Sequence, residues 1–88
     1  MTYPPGYVEQ QIEILRALCQ AADSYAEIAG IIATSADEAT ALAALQERLG
    51  TVEIGARAVL EMQFRRLLPD QRERLRSQLE ELSTQAQG

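Results

Sequence analysis

Few residues of this sequence are equipped for chemistry. It has no histidine, and its one cysteine, Cys19, can form neither an internal disulfide nor a thiolate zinc site. Those absences remove serine and cysteine triads, a histidine-ligated metal and a histidine general base. Carboxylates, tyrosines and arginines remain. Glu53 and Glu61 stand eight apart on one exposed predicted helix face, too far apart to act as a carboxylate pair, so both read as solvated. Tyr25 falls on an apolar helical face and reads as a core residue, while Tyr3 and Tyr7 lie in or beside a non-helical leader and read as packing on the bundle. Cys19 sits on an apolar stripe and reads as a small buried side chain rather than a reactive thiol. No catalytic, cofactor-binding or metal-ligating residue emerges, and the chain is expected not to be an enzyme.

The charges point to partners more than to reactions. Eight basic residues against 13 acidic ones give a net −5, which disfavours a general grip on nucleic acid. Residues 1–56 hold only Arg16 and Arg48 against eight acids, whereas residues 57–88 hold Arg57, Arg65, Arg66, Arg72, Arg74 and Arg76 against five. These halves could pair with each other or with the opposite halves of a second copy, although most of the charges read as solvated faces. The arginine cluster is a candidate phosphate-binding set. Against that, Glu53–Arg57, Glu61–Arg65 and Asp70–Arg74 are spaced as i,i+4 pairs that would occupy several members, and no aromatic residues interleave for stacking.

At 88 residues, 47% hydrophobic and 24% charged, the chain has room for one ordered domain. No apolar run approaches the roughly 20 residues of a membrane span, and Met1–Gly6 carries neither a basic nor an apolar targeting region. The expectation is an intact cytoplasmic protein.

The elements that must position these residues all read as helix. After a leader (1–6), the spacing predicts helices at about 7–22, 24–33, 36–49, 52–67 and 69–85, a single domain over 7–86 with a short tail at 87–88. Asp23 is a candidate cap for the second helix, and Gly30 within it suggests a close backbone approach. Ser35-Ala36-Asp37-Glu38 reads as a capping box, and Ala39, Leu42, Ala43, Leu45 and Leu49 are expected to face inward. Gly50 suits a left-handed helix end, Thr51 a cap, and Pro69 the first turn of the last helix. Leu75, Leu79, Leu82 and Ala86 repeat as a two-heptad seam that the first helix matches with Val8, Ile12, Leu15, Cys19 and Ala22. The first and last helices are therefore expected to form a short antiparallel coiled-coil stub, with both termini at one end.

The fourth helix is apolar on two sides. Val52, Ala56, Val59, Leu60, Phe64 and Leu67 suit the core, while Ile54, Ala58 and Met62 form another stripe rotated away from it. A chain this short buries only about two thirds of its unfolded surface. Either this helix is the centre of the bundle or a second copy covers it. The expected homodimer interface is Ile54, Ala58 and Met62 with Arg57, Glu61 and Arg65 alongside.

The run Val52-Glu53-Ile54-Gly55-Ala56-Arg57-Ala58-Val59-Leu60-Glu61-Met62-Gln63-Phe64-Arg65-Arg66-Leu67, followed by Arg72-Glu73-Arg74-Leu75, resembles the helix that ends the coiled-coil arm of bacterial DNA gyrase and topoisomerase IV A subunits. Ile14 to Leu18, Ala29 to Ile31 and the Ser35 segment fall where that family has its incoming helix and small bundle, so the resemblance spans about residues 9–82. It implies a dimer contact of the C-gate type and, by shared interface chemistry, pairing with the gyrase or topoisomerase IV protein itself as an extension. The family's catalytic tyrosine region has no counterpart, because none of the three tyrosines stands in the nucleophile's arginine-tyrosine context. Gly55, Arg57, Ile32 and Asp70 depart from the family pattern, which puts partner specificity in doubt. The competing reading is a small helical regulatory or nucleic-acid-binding protein that uses the arginines of residues 57–76.

Overall fold

The computed structural model describes residues 4–87. Tyr3 and Gly88, read above as part of the leader and of the tail, lie outside them. Five α-helices follow in order: α1 (Tyr7–Asp23), α2 (Tyr25–Thr34), α3 (Glu38–Leu49), α4 (Glu53–Leu60) and α5 (Pro69–Gln87). A 3-10 turn, Phe64–Leu67, stands between the last two, and there is no strand among the described residues. The fold is all-α, as the composition and periodicity predict.

Helix α1 is the shared wall, packed on α4 and α5, while α3 lies along α4. The core cluster is Ala17, Ala21, Ile28, Leu42, Leu45, Leu49, Ala56 and Val59. Its small members set the spacing of α1 and α4. A methyl group added at Gly55 would collide with Thr51 Oγ1 and press on Ala17 Cβ at 3.2 Å. Gly55 therefore lets the two helices close on each other.

Helix α5 runs antiparallel to α1. Asp23, at the end of α1, meets Arg76 at 3.5 Å, while Gln11 and Leu15 share a surface groove with Gln78, Glu81, Leu82 and Gln85. Burial along the seam falls from Leu75, fully buried, through half-buried Leu79 and Leu82 to exposed Ala86.

Several local signals resolve differently from the sequence reading. Ser35 does not open a capping box. Its hydroxyl donates back to the Ile31 carbonyl at 2.7 Å and closes α2, while Asp37 caps α3 by accepting the Thr40 N–H at 2.8 Å. Asp and Ser are comparable N-caps, so a three-residue linker lets one side chain end a helix and another begin the next. Asp23 is the last residue of α1 rather than a cap. Thr51 does not cap α4 either, since its hydroxyl donates to Glu13 Oε1 at 2.7 Å and pins the α3–α4 connection to α1. Gly50 does take the left-handed conformation (φ 62°), and the Thr51 N–H reaches the Gln46 carbonyl at 3.1 Å. Ala41 faces inward, whereas Ala39 and Ala43 face solvent.

The largest correction concerns the fourth helix, expected over 52–67. It ends at Leu60. The Met62 N–H bonds to the Val59 carbonyl at 3.1 Å, an i→i−3 closure, and extended Gln63 leads into the 3-10 turn. Met, Gln, Arg and Leu are good helix formers, so propensity does not stop the helix. Packing does: Met62 turns back against the core cluster, and the chain must reverse so that Leu75 can reach the bundle. Leu68, extended ahead of Pro69 (ψ 143°), completes the reversal.

The two glycines inside helices predict opposite outcomes. Gly30 has nothing within 4 Å of an added methyl group, so the close approach expected there does not exist. Gly30→Ala should stabilise the fold by up to about 1 kcal/mol through helix propensity alone. Gly55→Ala should destabilise it by about 1–3 kcal/mol through overpacking. Thermal melts followed by circular dichroism distinguish the two signs.

Candidate functional site

With α4 cut short, apolar surface is left uncovered where the chain reverses. Ala21, Tyr25, Ile28, Ala29, Ile32 and Ala33 form one wall of a groove, and Val59, Leu60, Met62, Phe64 and Leu67 form the other, around a volume of about 400 Å³. Phe64 stands at its edge, 84% exposed, with Tyr25 and Leu68 each 53% exposed. An exposed apolar patch of this kind marks an interaction site more often than a scattered surface leucine does. The groove lining carries no acid, base or nucleophile beyond the Tyr25 hydroxyl. Its chemistry is contact.

The residues expected at an interface stand in different surroundings. Met62 lines the groove and packs on the core cluster. Ile54 and Ala58 are half-buried on α4 and do not line it. Arg57 reaches Glu38 at 3.7 Å and Glu53 at 3.8 Å, which joins α4 to α3. Glu61 and Arg65 are exposed on the reversal, on either side of Met62–Phe64. Neither has an ion pair among the described residues, because the helix that would set them one turn apart has already ended. Arg66, Arg72 and Arg74 likewise have no ion pair among the described residues: of the three i,i+4 pairs read from the sequence only Glu53–Arg57 forms, although Asp70 and Arg74 both lie within α5. Arg76 is held by Asp23 and by Glu73 at 3.3 Å.

Phe64, Tyr25 and Val52, expected in the core, are surface residues, Val52 because it precedes the first turn of α4. For Phe64 the sequence does hold a signal: Gln63, Arg65 and Arg66 surround it, and three polar neighbours in four positions suit a solvent-facing turn better than a buried stripe. For Tyr25 the helical phase is right, since Ile28 is buried, but the wall it should meet ends at Leu60.

An ion pair ties α2, one wall of the groove, to α3. Arg48 of α3 makes two hydrogen bonds to the Glu27 carboxylate of α2, one of them at 2.8 Å. That contact holds the Glu27 carboxyl below its ordinary pKa, and the Thr40 N–H does the same for Asp37. At Cys19, half-buried beside Arg76, burial first and the Asp23 charge second push the thiol above its usual value while Arg76 opposes them. The thiol is thus protonated at neutral pH. No group of metal-ligating residues exists among the described residues, and no described helix is long and apolar enough to cross a membrane.

The chain is 35% identical over 74 residues to the gyrase A protein of Deinococcus deserti, 36% over 76 residues to that of Lawsonia intracellularis and 39% over 74 residues to that of Mycoplasma pneumoniae. These matches cover 84%, 86% and 84% of this chain. No protein-family model matches it. The chain spans 9% of the length of the curated relatives it matches, so it resembles a segment of the DNA gyrase A protein.

Both depressed carboxylates predict acid sensitivity. A folded-state pKa below the unfolded one stabilises above the ordinary carboxylate range, and the gain is lost as pH falls through the folded value. Melting temperature should therefore drop as pH is lowered from 6 toward 3. Glu27→Gln and Asp37→Ala should each lower it at pH 7 and flatten the acid slope, and Asp37→Ser should restore the cap but not the slope.

Proposed function

We propose that this chain is a non-catalytic pairing module of the kind that ends the gyrase A arm, acting in the cytoplasm and joining a second copy of itself. The observation that carries the reading is the uncovered groove with Phe64 standing out of it. The similarity to gyrase A proteins supports it, taken together with the resemblance of residues 52–75 to the tip of the gyrase A arm. A further part of the same proposal is interface mimicry: the module pairs with the arm tip of gyrase or topoisomerase IV and so modulates gate opening. Ile54, Ala58, Met62, Arg57, Glu61 and Arg65, from α4 and the reversal that follows it, are part of the proposed contact. The exposed groove residues shift the centre of the expected contact toward Met62 and Phe64. No chemistry is assigned to the module.

One observation favours a second reading. Arg65, Arg66, Arg72 and Arg74 have no ion pair among the described residues, which leaves four guanidinium groups available to phosphate. Net charge of −5 opposes it. Steep loss of duplex DNA binding with added salt would identify this activity.

Light scattering across a dilution series tests the first reading. The molar mass should rise from 9.7 kDa toward twice that value with concentration. A particle that stays at one chain up to millimolar concentration refutes self-pairing. Retention of the gyrase A protein on the immobilised chain, with altered supercoiling at excess protein, supports mimicry. Failure of both rejects mimicry and leaves self-pairing standing.

A further inference from the structure

The groove and the ring beside it are on the same patch, and that placement says how two copies would meet. We infer that the chain pairs by exchanging Phe64 across a two-fold axis, each ring entering the other copy's groove, with Glu61 of one copy opposite Arg65 of the other. This deepens the self-pairing reading and rests on it.

Phe64 is the most exposed large hydrophobic side chain among the described residues, and it rims the groove instead of filling it. A volume of about 400 Å³ is near the small end of ligand sites, suited to one or two side chains more than to a whole amphipathic helix. An apolar knob and an apolar hole on one patch are self-complementary, and a two-fold contact of that kind closes at two copies.

Charge supplies the second observation. Glu61 and Arg65 flank the ring in sequence, both are exposed, and neither has an ion pair among the described residues. A two-fold axis near Phe64 sets each against its opposite on the other copy. The third observation is the charge imbalance along the chain. Residues 1–56 are strongly acidic, while residues 57–88 hold six arginines against five acids. Two chains of net −5 therefore meet with least repulsion at the reversal.

Charge exchange between copies tests this arrangement. Glu61→Arg and Arg65→Glu are surface substitutions that leave the groove lining intact. In each pure variant the two-fold contact faces like charges, and self-association should weaken roughly tenfold or more. In a one-to-one mixture the variants face opposite charges, and the dimer mass should return. Phe64→Ser should abolish pairing while the helical circular dichroism is kept. The inference is overturned if the mixture pairs no better than either variant alone, or if Phe64→Ser pairs at wild-type affinity. Should the wild-type chain pair while Ile54→Arg alone disrupts it, the arrangement falls and self-pairing stands. A wild-type chain that never pairs removes both.

Discussion

The close approach of α1 and α4 at Ala17 and Gly55 governs the rest of the molecule. Three of the eight core-cluster residues are alanines, so the bundle is held by short inter-helix distances more than by bulky side chains. Close helices need a pinned connection, which Thr51 supplies by bonding Glu13 across to α1. They also leave little apolar volume to spread over the far side of the bundle. Helix α2 meets that side through Ile28, and nothing covers Tyr25 and Ala29 beyond it.

The early end of α4 follows from the same economy of space. Eight residues are enough to cross α1 and α3, after which Met62 folds back onto the core and the chain must return to build α5. The return places a ring, an acid and an arginine together on a non-helical turn. A fourth helix greasy on two sides predicts leftover apolar surface, yet that surface arises because part of the helix is absent.

What can be read from the residues alone follows from how local each signal is. The helix count, the Gly50 terminus, the Pro69 start and the antiparallel meeting of the first and last helices rest on short-range backbone preferences and periodicity. Those features agree with the structure. Choice among neighbouring polar caps is less legible, because Ser35 and Asp37 are comparable starters and the structure uses Ser35 to close α2 and Asp37 to open α3. The break after Leu60 has no glycine or proline to announce it and is set by tertiary packing, a term that periodicity cannot contain. The groove is hidden for the same reason, since its two walls lie far apart in the chain and one of them is the break itself. Similarity to a segment of gyrase A proteins is legible in the residues of the fourth helix and its flanks.

The central claim is that residues 61–68 leave the helix and carry an uncovered aromatic ring that meets its own kind. Phe64 is the chain's sole phenylalanine, so its ring resonances can be followed by nuclear magnetic resonance without ambiguity. The account predicts non-helical Cα shifts at Glu61–Gln63 at every concentration. It also predicts ring protons that are solvent-accessible when dilute and move, together with those of Tyr25, as concentration rises. Continuous helical shifts through Leu67, with a ring shielded from solvent even at the lowest concentration, would contradict it.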